Sequence, residues 1–354
     1  MSKKSLLIVD DSAVMRHFLR TKISEAFPEL TLESAKDGAE CVAKVAQGNH
    51  DYVFLDLVMP IMEGLEALKL IRKKNPKTRV VICSSLSAEG AEVTLEALAL
   101  GAMDYITKPR VEGGKKITWE QFEEDIFHKL NALLKQEEFS SHPRISETRP
   151  LNLPAPQKVA AVGIAASTGG PPALENMLKH LKPEFKTPIL VVIHMPPIFT
   201  TRFAARLNEL IPGRKVVEAT NGMVIRPSEI YIAPGDYHMT VQSSGGLPVL
   251  GLNQEAQENF CRPAADVLFR SMANVFGKRT LVSILTGMGQ DGMLGAKAIR
   301  EKGGLVLSQE PSSCAVYGMP KAVAEVGISQ AALSLQEMAR SIMDLSLDSQ
   351  GLNS

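Results

Sequence analysis

Residues 162–170 read VGIAASTGG, and Pro171 and Pro172 follow. From Lys158 onward the run is apolar at odd and even positions alike, which predicts a strand buried on both faces. A glycine-rich turn carries it into PPALENMLKHL (171–181), which has the apolar spacing of a helix. Working outward, PILVVIH (188–194), EIYIAP (229–234), TLVSILTG (280–287) and GLVLSQ (304–309) repeat the buried-strand pattern. The helical patterns TTRFAARLNEL (200–210), PAADVLFRSMANVF (263–276) and GMLGAKAIREKG (292–303) separate them. This alternation predicts a doubly wound α/β domain. YHMTVQSSGGLPVLGLN (237–253) adds a β-hairpin with a Ser-Gly-Gly turn.

The first part of the chain shows the same alternation. SLLIV (5–9), LTLESA (30–35), DYVFLDL (51–57), RVVICSS (79–85) and DYITKP (104–109) read as strands. Between and after them lie helical AVMRHFLRTKISEAF, GLEALKLIRKK, GAEVTLEALALG and WEQFEEDIFHKLNALLKQ. A five-stranded parallel (βα)5 domain over 1–137 is expected. Residues 138–157 hold four prolines and no periodicity and read as a linker. A second domain then covers 158–346, and a disordered tail is expected over 347–354.

At 354 residues the chain is long for a single core, and its 45% hydrophobic and 22% charged content is that of a soluble globular protein. Residues 1–137 carry 19 basic and 21 acidic side chains, leaving 20 and 18 for the remainder. Neither part is a basic domain, which argues against a nucleic-acid partner. Cys41, Cys83, Cys261 and Cys314 lack metal-ligand or disulfide-framework spacing and read as reduced thiols. No apolar run approaches the roughly 18–20 residues of a membrane span, and none suits a signal peptide. A cytoplasmic location without membrane insertion is the expectation.

Two sets of polar residues fall at strand ends. In the first domain Asp10 and Asp11 end one strand, Asp56 another and Lys108 the last. The C-terminal ends of parallel strands share one edge, where ligands bind. Three carboxylates meeting there repel one another unless a cation neutralises them, and an all-oxygen set favours Mg²⁺. Lys108 supplies a positive charge for a phosphoryl group and can pair with Asp56 when the site is empty; Ser84 offers a hydroxyl. VDDS, LDLVMP…EG, CSS and YITKP on successive elements resemble the receiver domain of two-component response regulators. The resemblance implies that Asp56 takes a phosphoryl group from a histidine kinase. It makes Asp10 and Asp11 the metal-binding acids, with the Val58 carbonyl as a further ligand, and Ser84 and Tyr105 the switch pair.

In the second domain the turn at 167–170 either cradles a phosphate or presents a serine. A Walker loop needs a lysine after the glycines, and the dinucleotide fingerprint needs G-x-G-x-x-G; neither is present. A serine nucleophile needs an oriented base. His194 ends the next strand, whereas His180 lies in a helical segment and His238 reads as structural or substrate-adjacent. Asp291 follows a strand in MGQDGM; Asp236 competes with it, and Asp266 reads as first-turn helix charge. Ser167, His194 and Asp291 thus fall on one edge of the sheet. Their order along the chain and AASTG differ from the α/β-hydrolase pattern.

GIAASTGGP, HMPPIFTTRFAARL, IAPGDYHM, CRPAADVLF and TGMGQDGMLG together resemble the chemotaxis protein-glutamate methylesterases, the CheB family, across nearly the whole chain. The resemblance implies Ser167 as nucleophile, His194 as base and Asp291 as its orienting acid. Thr168 and Met288 would flank the site, with the Met288 N–H as an oxyanion donor. Ala165 stands where the family's glycine is usual, and alanine fits there if its φ is negative. The implied activity is hydrolysis of glutamate γ-methyl esters on methyl-accepting chemotaxis receptors, with glutamine deamidation as a side activity. No cofactor is expected in the catalytic domain. In the family, the unphosphorylated receiver covers the catalytic edge. The rival reading is a response regulator with a non-catalytic signalling or scaffold output domain.

Overall fold

The computed structural model describes residues 3–48, 50–109, 117–140 and 158–346. The chain divides into two compact units, Met1–Asn131 and Ala132–Ser354. The expected linker lies outside the described residues, apart from 138–140, which continue a helix; the expected tail at 347–354 lies outside them entirely.

The first unit runs β1 (Ser5–Val9), α1 (Ala13–Ala26), β2 (Thr31–Ala35), α2 (Gly38–Gln47), β3 (Tyr52–Asp56), α3 (Gly64–Lys74), β4 (Arg79–Ser84), α4 (Ala88–Ala99), β5 (Asp104–Thr107) and the first part of α5 (Trp119–Ser140), which continues past Asn131. Its five-stranded sheet has the order β2-β1-β3-β4-β5 and is parallel throughout. β3 is buried at every position, as its unbroken apolar run predicts. Helices α1, α2 and α4 begin on side-chain caps: Ser12, Asp37 and Ser87 accept from Met15, Glu40 and Gly90 N–H groups.

The second unit runs β6 (Ala161–Ala166), α6 (Gly170–Lys179), β7 (Ile189–Ile193), α7 (Pro197–Leu210), β8 (Lys215–Glu218), β9 (Glu229–Ile232), β10 (His238–Ser244), β11 (Leu247–Asn253), α8 (Ala265–Phe276), β12 (Thr280–Ile284), α9 (Met293–Glu301), β13 (Leu305–Gln309), α10 (Met319–Glu325), β14 (Ala331–Leu333) and α11 (Leu335–Ser346). The seven-stranded sheet has the order β14-β13-β12-β6-β7-β9-β8, again all parallel. After β6 the chain winds toward β7 and β9; after the hairpin it returns to β12 on the other side of β6. The winding direction therefore reverses at β6, and in such sheets ligands bind beyond the strand ends at that reversal. The hairpin β10–β11 turns through Gly245 and Gly246, both at positive φ.

Phe269 and Met272 of α8 pack with Ala165, Val282 and Ile284 of β6 and β12 in one buried cluster. Burying a side chain of that size contributes about 1.5–3 kcal/mol. The sequence patterns do not reveal α2, β8, α10, β14 or α11. β8 and β14 are the edge strands of the second sheet and are only partly buried, so neither carries a buried-strand run.

Candidate active site

β6 ends at Ala166, so Ser167 is the first residue of the turn into α6; β7 ends at Ile193, so His194 is the first residue beyond it. The His194 N–H donates to the Ala166 carbonyl (3.2 Å), which extends the ladder by one rung and sets the two residues side by side. On the other flank the Ser167 N–H donates to the Thr286 carbonyl (3.0 Å). Ser167 is therefore held between the loops that follow β7 and β12.

β12 stops at Ile284, short of the TLVSILTG pattern, and the following loop brings Asp291 to the start of α9. The reason Asp291 sits where it does lies in α8. Its N-cap, Ala264, has no side chain that could cap the helix, so its first N–H groups need another acceptor. Asp291 supplies it: Oδ2 accepts from Ala265 N–H (2.6 Å), and Oδ1 from Asp266 N–H (3.1 Å) and Gly292 N–H (2.9 Å). The same Oδ2 accepts from His194 Nε2–H at 2.8 Å. Asp291 is 2% exposed. Burial pushes its carboxyl up, but His194 and the helix N–H donors outweigh it and hold the group below its ordinary value.

With Nε2 bound to Asp291, Nδ1 is the imidazole nitrogen left for chemistry. It lies 3.5 Å from the Cys261 sulfur. Burial works against the imidazolium, but Cys261 and Asp291 outweigh it and push His194 up to about 10.

The loop after β12 turns on glycines that have steric reasons. A Cβ on Gly287 would come 2.4 Å from Met319 Sδ and 2.8 Å from Ser167 Cβ, so any larger residue would crowd the serine. Gly169 has φ +71°, and a Cβ there would lie 2.3 Å from that of Ala315. Gly169 thus makes room for the Ala315 segment. The Gly287 N–H is taken by the Val316 carbonyl (3.1 Å). Met288 N–H and Thr168 N–H have no acceptor among the described residues, and both lie next to Ser167 or its neighbouring loop. Ala165, fully buried in β6, is not among the residues at positive φ, so alanine fits there.

Other sequence candidates fall elsewhere. His238 is buried and occupied at both nitrogens: Nε2 faces the Ala256 carbonyl (3.0 Å) and Nδ1 accepts from Ala264 N–H (3.2 Å). Asp236 pairs with Arg262 at 2.8 Å. Asp266 is more than first-turn charge: it is 1% exposed and accepts from Gly295 N–H (2.6 Å) and Asn259 Nδ2 (2.9 Å), which ties α8 to α9. Sequence reasoning misses Asn259, whose amide also donates to Asp291 (3.2 Å), Cys261, and Gln309, whose Oε1 accepts from Thr286 N–H (2.8 Å). Only the position of Cys261 just ahead of α8 in CRPAADVLF could have drawn attention to it.

In the first unit Asp10, Asp11 and Asp56 gather at the C-terminal edge of β1 and β3, each offering an oxygen within 4.8 Å of the others. Lys108 Nζ lies 2.6 Å from Asp56 and 2.7 Å from Asp10, both at Oδ2. The Asp10 contact is a charge pair only, since that buried oxygen has no well-directed hydrogen bond. Burial pushes the Asp56 carboxyl up despite Lys108; burial also opposes the Lys108 cation, but Asp56 and Asp10 outweigh it and raise that group. Three hard oxygen donors with one oxygen under-used fit a divalent cation of the Mg²⁺ type. Val58 N–H points back to Asp56 Oδ1 at 3.4 Å. Ser84 is buried and turned to α4, accepting from Thr94 Oγ1 (2.6 Å) and donating to the Gly90 carbonyl (3.2 Å). The Tyr105 ring is also buried, with Lys129 Nζ 5.0 Å from its centroid.

Comparison with known proteins bears on both units. Residues 162–342 match the CheB methylesterase model and residues 6–114 the response regulator receiver domain model. The chain belongs to the CheB methylesterase family. A protein-glutamate methylesterase/protein-glutamine glutaminase of Nocardioides sp. is 40% identical over 347 residues, covering 96% of this chain and 94% of the relative. One from Caulobacter vibrioides is 41% identical over 336 residues, covering 94% and 96%. The crystal structure of the Thermotoga maritima CheB methylesterase catalytic domain is 36% identical, with a TM-score of 0.52; the match covers 53% of this chain and all of that one. The CheB membership thus agrees with the resemblance carried by GIAASTGGP and TGMGQDGMLG. No helix among the described residues is long and apolar enough to cross a membrane.

Proposed function

We propose that the chain is a receiver-controlled serine hydrolase that removes γ-methyl groups from glutamates of chemotaxis receptors, and also deamidates glutamines there. The observation that carries this reading is the His194–Asp291 pair, 2.8 Å long, on loops that flank the strand ending at Ala166, just before Ser167. Ser167 Oγ gives its proton to His194 Nδ1 and bonds to the ester carbonyl carbon, forming a tetrahedral oxyanion. The N–H groups of Met288 and Thr168 stabilise that charge. Collapse breaks the C–OCH₃ bond, and the proton on His194 leaves with methanol. Water then attacks the acyl-serine, giving its proton to His194, and glutamate is released with Ser167 restored. Asp291 accepts from Nε2 throughout, which fixes the tautomer with Nδ1 as base. A glutamine side chain follows the same path with ammonia as the leaving group.

Control belongs to the first unit. Asp56 is the phosphoryl acceptor from a histidine kinase, Lys108 pairs with the incoming charge, and Ser84 with Tyr105 report it. Asp10, Asp11, Asp56 and the Val58 carbonyl would hold Mg²⁺, which when bound neutralises charge on the phosphoryl oxygens.

An active-site serine reagent tests the nucleophile directly. A fluorophosphonate should label the full chain at Ser167, and Ser167→Ala should abolish the labelling. Labelling at another serine, or none in either the presence or the absence of a phosphodonor, would favour the scaffold reading.

A further inference from the structure

The catalytic imidazole has a partner that the reaction above does not use. Cys261 Sγ lies 3.5 Å from His194 Nδ1, the nitrogen that must take the proton of Ser167. The contact comes from a braced loop. Glu258 and Cys261 exchange backbone hydrogen bonds (3.2 and 2.9 Å), and Asn259 and Phe260 between them both lie at positive φ, 52° and 60°. Arg270 holds Glu258 at 2.5 and 2.7 Å, and Arg262 is fixed by Asp236 and by the carbonyls of Gln254 and Glu255. Two consecutive left-handed non-glycine residues persist only where surrounding contacts over-determine them. The sulfur is therefore aimed at the imidazole rather than drifting near it.

We infer that Cys261 is a positioning residue that parks His194: its sulfur engages Nδ1 and competes with the Ser167 hydroxyl for the catalytic base. This rests on the serine-hydrolase reading above. The parked state arises when the proton of the Cys261 thiol moves to Nδ1, giving an imidazolium with an acceptor on each side, Asp291 at Nε2 and sulfur at Nδ1. An imidazolium has no lone pair for Ser167. The base becomes competent when that proton returns to sulfur and Nδ1 turns to the serine. Among the described residues, the ionisable groups facing the ring are Cys261 and Asp291. Asp266 stands behind Asp291 through Asn259, and Glu258 and Arg270 brace the cysteine loop from outside. The high affinity of His194 for its proton accords with this arrangement. A general base works best when its pKa lies near the working pH, so the parked site is held in reserve.

Cys261→Ser and Cys261→Ala in the full chain test this. With ¹³C-labelled histidine, the NMR titration midpoint of His194 should fall by about one pH unit or more in both variants. In methanol release from methylated receptor membranes, the acid limb of kcat should move to lower pH by the same amount while KM holds. A midpoint unchanged in both variants would overturn the inference. Serine nearly matches cysteine in shape, so Cys261→Ser decides the matter if Cys261→Ala folds poorly. If the wild-type chain releases no methanol, the hydrolase reading fails, while the titration still shows whether sulfur controls the imidazole.

Discussion

At the scale of single residues, the site rests on one carboxylate with two duties. Asp291 closes the N-terminus of α8 and orients His194, so neither partner can be moved without the other. Asp291→Asn keeps the shape but loses the charge and presents a donor where acceptors are needed. It should lower kcat by roughly 10³–10⁴-fold with little change in KM, as steady-state methanol release would show. Asp291 also makes stability depend on pH. Folding holds its carboxyl below the ordinary 3.8, so its contribution is complete above that value and is lost as pH falls through the lower folded value. Urea unfolding should show stability declining as pH falls below that point, and Asp291→Asn should flatten the decline. These roles were partly legible: Ser167, His194 and Asp291 stand out because each follows a buried-strand pattern. Cys261 and Asn259 do not, because contacts through the fold, with no local periodicity, bring them to the imidazole and the carboxylate.

At the scale of elements, the position of the site comes from strand order. β6 lies at the reversal of winding, with β7 on one side and β12 on the other, so the loops after three adjacent strands converge. The buried-strand patterns of β6, β7, β9, β12 and β13 suffice to read a doubly wound sheet. Edge strands β8 and β14 escape because they are only partly buried. The loop geometry is likewise hidden, since the need for Gly287 appears only once Met319 and Ser167 are seen beside it. Gly287→Ala forces one of them to shift. It should destabilise the catalytic unit by about 1–3 kcal/mol and slow fluorophosphonate labelling of Ser167 more than tenfold. Wild-type labelling in that variant would mean that the loop yields without disturbing the serine.

At the scale of the whole molecule, a carboxylate cluster suited to phosphorylation and a hydrolase site occur in one chain, which is the organisation expected of a controlled CheB esterase. The five strands of the first sheet were readable from sequence, as were the acids at their ends, because both signals are local. Chelating Mg²⁺ should abolish stimulation by a small phosphodonor while leaving basal methanol release unchanged, because the proposed hydrolytic steps need no metal. The most direct measurement is methanol release from methylated receptor membranes by the full chain, with and without phosphodonor and Mg²⁺, beside Ser167→Ala and Asp56→Ala. The account predicts release that rises with phosphodonor, disappears in Ser167→Ala, and persists without stimulation in Asp56→Ala. Undiminished release by Ser167→Ala would contradict it.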